Sequence, residues 1–175
     1  MLGKTMRMQS LQRGVSLIEV MVAVIVFSVG VLGIAMLQAK GSQFTKQSGA
    51  RTVAILQARS LADAMRANPA GVWGVASQDL ISGKNGDLSG SYYLYDGTTA
   101  PDPTTCNGVA SCVAAKSDLL NWLAQLNAGA INAGSNSSVA QDSNTGTLTV
   151  KSSWSDLTPG STSTSTESYQ FDFQP

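Results

Sequence analysis

Glu19 is the residue whose chemistry most needs an explanation, because it is the only charged residue in the apolar run 15–37. A charge inside lipid costs roughly 2.5–3.5 kcal/mol on the scale measured by membrane insertion. The simplest interpretation is an incidental carboxylate whose side chain reaches the membrane surface. The alternative is a carboxylate that pairs with a positive group, since opposite charges attract much more strongly in apolar surroundings than in water.

The rest of the chain offers little for catalysis. It has no histidine, which removes the usual general base and the commonest metal ligand. No nucleophile–base pair, phosphate-binding loop or zinc pattern is present. Acidic residues in the second half are scattered in turns, too far apart for a calcium loop. They include Asp96, Asp102, Asp142 and Asp156. The sequence therefore predicts a protein that is not an enzyme and that holds no metal or cofactor.

Cys106 and Cys112 are the only cysteines of the chain. A CxxC redox pair would have two residues between the cysteines, and this pair has five. In an oxidising compartment, which the export-type start of the chain favours, we expect them to form a disulfide. The loop that this bond closes is short, so its entropic contribution is about 2–2.5 kcal/mol.

One long helix is predicted to position Glu19. At about 1.5 Å per residue the run 15–37 extends roughly 34 Å, enough to cross a bilayer core of about 30 Å. Basic residues precede the run, so its start is expected on the cytoplasmic side. These residues are Lys4, Arg7 and Arg13. A secretory signal peptide is a poorer interpretation, because its apolar core is only about 7–15 residues long. A plain single-pass anchor remains an alternative.

The helical pattern continues beyond the apolar run. No proline interrupts residues 38–67, and Asn68-Pro69 is expected to end the helix. Apolar residues recur there at helix-like spacing and predict a face that packs on the rest of the protein. They are Phe44, Val53, Leu56, Leu61, Ala64 and Met65. Gly30 and Gly33 fit ordinary membrane-helix composition, or a segment that packs closely on a neighbour or unwinds locally.

Residues 69–175 predict a small α/β head. The aromatic run 92–95 suggests a strand, and residues 116–126 suggest a short helix capped by Ser117 or Asp118. A hairpin is predicted over 138–154, with its turn at 142–146. A loop is predicted over 156–165, and alternation over 167–173 predicts a final strand. The fold class is therefore α+β, with a long N-terminal helix packed on a small antiparallel sheet.

Charge is unevenly distributed along the chain. Residues 15–68 hold five basic and two acidic residues, whereas residues 69–175 hold three basic and nine acidic residues. An acidic head argues against nucleic acid as a partner, because binding to nucleic acid needs a basic face.

The stretch R-G-V-S-L-I-E-V, residues 13–20, resembles the type III signal of type IV prepilins. The resemblance implies a leader peptide, 1–14, that prepilin peptidase removes between Gly14 and Val15 before methylating the new amine of Val15. The usual first residue of the family is phenylalanine, and here it is valine. The resemblance also implies that Glu19 pairs with the amine of a neighbouring subunit and so sets the register of assembly.

More of the chain resembles the PilV type of minor pilin, the type IV pilus modification protein. The similar segments are 15–38, 58–71, 117–126 and 148–156. The resemblance implies a lollipop, with a transmembrane half-helix over 15–38, a periplasmic half-helix over 39–68 and a globular head over 69–175.

The same resemblance implies a single-pass protein of the inner membrane with its head in the periplasm. It then implies a place in the pilus at or near the tip, and roles in adhesion and twitching motility. The implied partners are prepilin peptidase, other minor pilins of a priming complex, the major pilin and a tip adhesin. A minor pseudopilin of a type II secretion system is the alternative, and a tethered periplasmic binding domain that never polymerises is a third. The serine- and threonine-rich segment 161–166 is either glycosylated or flexible.

Overall fold

The computed structural model of the chain describes residues 14–84, 86–129, 136–157 and 164–175. It contains helices α1 (Leu17–Ala67), α2 (Pro69–Val72) and α3 (Ala110–Gly129) and strands β1 (Ser138–Asp142), β2 (Thr147–Leu157) and β3 (Thr164–Phe173). Two short 3-10 turns lie between α2 and α3, at Gln78–Ile81 and Pro103–Cys106. The predicted α+β fold, with a long apolar N-terminal helix and a small antiparallel sheet, is confirmed. The chain divides into two compact units at Gln43 and Phe44.

The first unit contains the apolar part of α1. The backbone N–H groups of Glu19 and Val20 donate to the carbonyl oxygen of Ser16, which starts the helix. None of the described residues up to Gln43 is buried. By length and composition, α1 is a helix that could cross a membrane: its most apolar 18-residue window has a mean hydropathy of 2.8.

The second unit contains the distal part of α1, whose buried face differs from the predicted one. The buried residues recur every three or four positions, as on one face of a helix. They are Ala54, Ala58, Leu61, Ala62 and Met65. Phe44 and Leu56, predicted to lie on this face, are each 56% exposed. The difference arises because the face consists mostly of alanine, which a search for large apolar residues overlooks.

Asn68 ends α1 and begins α2, as its position before a proline requires. Its side-chain oxygen accepts a hydrogen bond from the N–H of Gly71 at 3.1 Å, so Asn68 caps α2. The residue after α1 thus satisfies a backbone donor that the start of the next helix leaves unpaired.

Helix α3 begins at Ala110, several residues before the predicted start. Ser117 does not cap it, because its hydroxyl donates to the carbonyl of Val113, one turn earlier in the same helix. Asp118 also lies inside the helix. The predicted apolar face is confirmed, with Leu119, Trp122 and Leu126 buried and Leu123 partly buried against the core.

The sheet has the order β1-β2-β3 with antiparallel neighbours. The predicted hairpin is confirmed: Val139 lies opposite Val150, and the N–H of Gly146 closes the turn on the carbonyl of Asp142. The predicted final strand is confirmed as well, although β3 begins earlier, at Thr164. Both ends of the loop predicted over 156–165 therefore belong to strands β2 and β3. Residues 158–163 lie outside the described part of the chain.

The strand predicted over 92–95 is absent from the structure. Only Tyr95 pairs in the manner of a strand, in an isolated antiparallel bridge with Val139. Residues before it turn instead, since the N–H of Leu94 donates to the carbonyl of Ser91. The turn buries Tyr93 completely within the core of the second unit, where its hydroxyl reaches the helices.

Candidate functional site

Gly14 and Val15 precede the first helical residue and are exposed. Val15 is 69% exposed, and no atom lies within 4 Å of the position that a Cβ would take on Gly14. An enzyme that cuts a peptide bond needs access to the backbone on both sides. The structure describes the chain from Gly14 onward, and from there the bond between Gly14 and Val15 is accessible. Arg13 lies outside the described residues.

Glu19 lies four residues beyond Val15, so the two residues fall on the same side of the chain as it enters the helix. Both line one shallow groove whose remaining walls are apolar. Those walls come from Val20, Ala23, Val24 and Phe27. Glu19 is exposed, and no group among the described residues forms a hydrogen bond or an ion pair with its carboxylate.

Cys106 and Cys112 form the disulfide that the sequence predicts, with their Cα atoms 5.6 Å apart. The bond joins the 3-10 turn Pro103–Cys106 to the first turn of α3. Between them the chain reverses through Asn107 and Gly108, both at positive φ. The disulfide therefore fixes where α3 begins, which is a structural role.

A polar cluster around Tyr93, which the sequence does not reveal, joins three elements of the second unit. The Tyr93 hydroxyl donates to the Asp118 carboxylate at 2.6 Å. The amide nitrogen of Asn68 donates to the carbonyl of Ser111 at 2.8 Å and lies 3.4 Å from the Tyr93 hydroxyl. Burial raises the pKa of Tyr93, and the hydrogen bond to Asp118 raises this pKa further. The cluster ties the end of α1 to α3.

Three of the acidic side chains considered above as calcium ligands accept hydrogen bonds within turns instead. Hydrogen bonds from the backbone N–H and the hydroxyl of Thr98, and then from the N–H of Thr99, lower the pKa of Asp96 to about 2. Asp102 caps its 3-10 turn, and Asp142 accepts from the N–H of Asn144. Among the described residues, no group of three potential metal ligands occurs.

A comparison with protein families bears on the N-terminal segment. A family model for the prokaryotic N-terminal methylation motif matches residues 9–35. No curated protein and no solved structure matches the chain. Proteins with this motif are processed by prepilin peptidase, assemble with other pilins and serve as structural subunits rather than catalysts. The motif, on an apolar helix suited to membrane anchoring, therefore indicates a type IV pilin or a pseudopilin.

Proposed function

We propose that the chain is a minor pilin of a type IV pilus, cut between Gly14 and Val15 and methylated on the amine of Val15. The observation that carries the proposal is the position of Glu19. It is exposed, has no partner within the described residues, and lies four residues from the new N-terminus in the matched motif.

The physical role of Glu19 follows from its surroundings. In the membrane the carboxylate is costly, by roughly 2.5–3.5 kcal/mol on the insertion scale. In a filament, the protonated amine of Val15 in a neighbouring subunit can meet it, and their attraction is strong in apolar surroundings. Because one register brings these two charges together, the pair favours assembly in that register.

The proposed setting follows from the helix and the resemblance together. The apolar part of α1 anchors the chain in the inner membrane, with the head of residues 69–175 in the periplasm. The chain then joins other minor pilins in a complex that primes assembly of the major pilin, at or near the tip. From this position the chain would support a tip adhesin, and with it adhesion and twitching motility. The chain itself catalyses no reaction.

Three of the four segments that resemble the PilV type contribute buried residues to the core of the second unit. Met65 lies in segment 58–71, Trp122 in 117–126 and Trp154 in 148–156, and all three are buried. A minor pseudopilin of a type II secretion system remains the second candidate, because its N-terminal signal is nearly the same. Neighbouring genes for other minor pilins and a tip adhesin would favour the pilus, and genes for a secretion apparatus would favour the pseudopilin.

The first experiment is the intact mass and N-terminal sequence of the chain from membranes that contain the native peptidase. We expect a chain that starts at Val15 with one added methyl group. A chain that starts at Met1 would instead be a plain anchor, and a start near Lys40 would indicate a secreted protein. Either result would remove the processing step on which the proposal depends.

The second experiment replaces Glu19 by alanine and scores surface pili. We expect piliation and twitching to fall while the protein remains in the membrane, because the charge pair is lost. The matched control is Ser28→Ala, in the same apolar segment, whose hydroxyl bonds only to the carbonyl of Val24 in its own helix. Normal piliation in a stable Glu19→Ala strain would favour a tethered domain that never polymerises.

A further inference from the structure

The outer edge of β3 carries no partner strand within the described part of the chain. β3 pairs with β2 on one side, from Leu148 opposite Phe173 to Leu157 opposite Thr164. The isolated bridge of Tyr95 lies at the opposite edge of the sheet, on β1. A free edge presents a row of N–H and C=O groups on which another strand can form hydrogen bonds.

Several devices that commonly protect a sheet edge are missing from β3. Proteins shield such edges with short strands, prolines, lysines or bulges. β3 has 10 residues and contains neither proline nor lysine. Its pairing with β2 advances one residue at a time without interruption, so no bulge breaks the strand. The edge is therefore long, continuous and open to another strand.

The side chains of β3 restrict which strand would fit. Tyr169 and Phe171 point to the same face, have ring centroids 6.2 Å apart, and are only partly buried against the core. Glu167 and Asp172 are the only charged residues of β3, and both are exposed. A strand that covers this edge would place apolar side chains beside the two rings and basic side chains beside the two carboxylates.

Within the described residues, neither edge strand of a second copy carries a basic side chain, since β3 has none. Its other edge strand, β1, has five residues and carries Asp142 but no basic residue. Like charges placed together across a strand pair are destabilising. We propose that β3 binds an extended strand of a different pilin subunit, one with apolar side chains beside Tyr169 and Phe171 and basic side chains beside Glu167 and Asp172. This inference rests on the proposed function, because it takes the partner from the same assembly.

The test places a photo-cross-linking amino acid at Gln170 of the full-length chain in cells that assemble pili. Gln170 is exposed on β3, and Asn127, exposed on α3, is the control position. We expect Gln170 to form an adduct with another chain that carries the N-terminal methylation motif, mapped to an extended segment that contains both apolar and basic side chains. An adduct on a helix, an adduct with a second copy, an unrelated protein or no adduct would overturn the proposal.

A pair of proline variants tests whether backbone hydrogen bonds hold the partner. Neighbouring residues of an antiparallel strand point their N–H groups to opposite sides. Thr166→Pro and Glu167→Pro therefore differ. One of them removes a hydrogen bond to β2, and we expect it to lower the midpoint of urea unfolding. The other removes an N–H that points away from β2, and we expect the midpoint to stay unchanged. We expect this second variant to reduce the Gln170 adduct about tenfold. An undiminished adduct would contradict strand pairing.

The proposed function and the proposed role of β3 can fail separately. Processing at Val15 and the effect of Glu19→Ala are scored in the same strains. If both hold and Gln170 gives no adduct with a pilin, the inference about β3 is wrong and the proposed function stands. If the chain still starts at Met1, both are wrong.

Discussion

At the scale of single residues, the hydroxyl of Tyr93 joins two helices of the second unit through hydrogen bonds. The side chain is completely buried, and its hydroxyl donates to Asp118 in α3 while lying beside Asn68 at the end of α1. Removing one member of a buried hydrogen bond leaves the other without its partner, which costs more than the bond itself contributes. The cluster therefore makes the junction of α1 and α3 sensitive to very small changes.

Tyr93→Phe tests this sensitivity with almost no change in volume. We expect the free energy of unfolding to fall by about 1.5–3 kcal/mol, the range for a hydrogen bond to a charged group. Urea unfolding followed by tryptophan fluorescence measures it. Tyr92→Phe is the control, because Tyr92 is less buried than Tyr93. A loss at Tyr92 as large as that at Tyr93 would contradict the role given to the cluster.

The raised pKa of Tyr93 predicts a dependence of stability on pH. Unfolded tyrosine ionises near pH 10, whereas folded Tyr93 remains neutral to higher pH because burial and Asp118 raise its pKa. Its contribution to stability is therefore complete below about pH 10 and is lost as the pH rises above this value. We expect the difference in melting temperature between wild type and Tyr93→Phe to shrink between pH 9 and pH 11. A constant difference would contradict the shift.

At the scale of elements, α1 carries two kinds of surface on one continuous helix. The described residues up to Gln43 are exposed and mostly apolar, whereas the distal part buries an alanine-rich face. Small residues on a helix let neighbouring elements approach closely. Gly129 at the end of α3 is an example of such an approach, because a Cβ there would lie 2.5 Å from a methyl group of Val53. Packing in the second unit is therefore set by small residues as well as by large ones.

Ala58→Leu tests the alanine face. Ala58 is 0% exposed, and alanine and leucine have similar helix propensities, so the added atoms must find space in a filled core. We expect a loss of about 1–3 kcal/mol in the free energy of unfolding.

Leu56→Ala, two residues earlier on the exposed side of α1, is the matched control. We expect its effect to stay within about 0.5 kcal/mol. Both values come from urea unfolding curves. A larger loss at Leu56 than at Ala58 would mean that the face predicted from the sequence is the one that packs.

The sequence predicts the elements whose signals are strong and local. Leu119, Trp122 and Leu126 lie three or four residues apart and indicate the buried face of α3. The alternation of Tyr169, Phe171 and Phe173 indicates β3. These patterns predict the elements correctly because large apolar side chains at regular spacing tend to be buried on one face.

Features that depend on distant partners are not predictable in this way. The aromatic run at Tyr93 has the composition of a strand, but a hydrogen bond to Asp118, 25 residues away, favours a buried turn. The early start of α3 depends on the disulfide turn and on alanines that give no periodic signal. For Gly14, Val15 and Glu19 the sequence supplies the candidate site, because the signal lies in residue types at fixed spacing, and their roles remain proposals.

At the scale of the whole molecule, the buried core belongs to the second unit. All three tryptophans lie beyond Phe44, and the first buried residue of α1 is Ala54. The residues described before Phe44 contribute no buried side chain to the core. We therefore expect the second unit to fold without the apolar segment.

A chain that starts at Phe44 tests this independence. We expect it to be soluble without detergent and to unfold in urea with a single transition, because the apolar surface suited to lipid is removed and the core is retained. The tryptophans report the transition, and the full-length chain in detergent is the comparison. Aggregation, or the absence of a cooperative transition, would show that residues before Phe44 are needed for folding.

The exposed apolar surface of α1 has one further consequence for the proposed assembly. Lipid tails and a protein interior are about equally apolar, so aliphatic side chains gain little hydrophobic free energy by moving from one to the other. Transfer of this helix between bilayer and filament is then nearly balanced, and the charge of Glu19 is one of the few features that distinguish the two environments. If the chain is a pilin as proposed, a balanced transfer would be reversible, and the same subunit could return from the filament to the membrane.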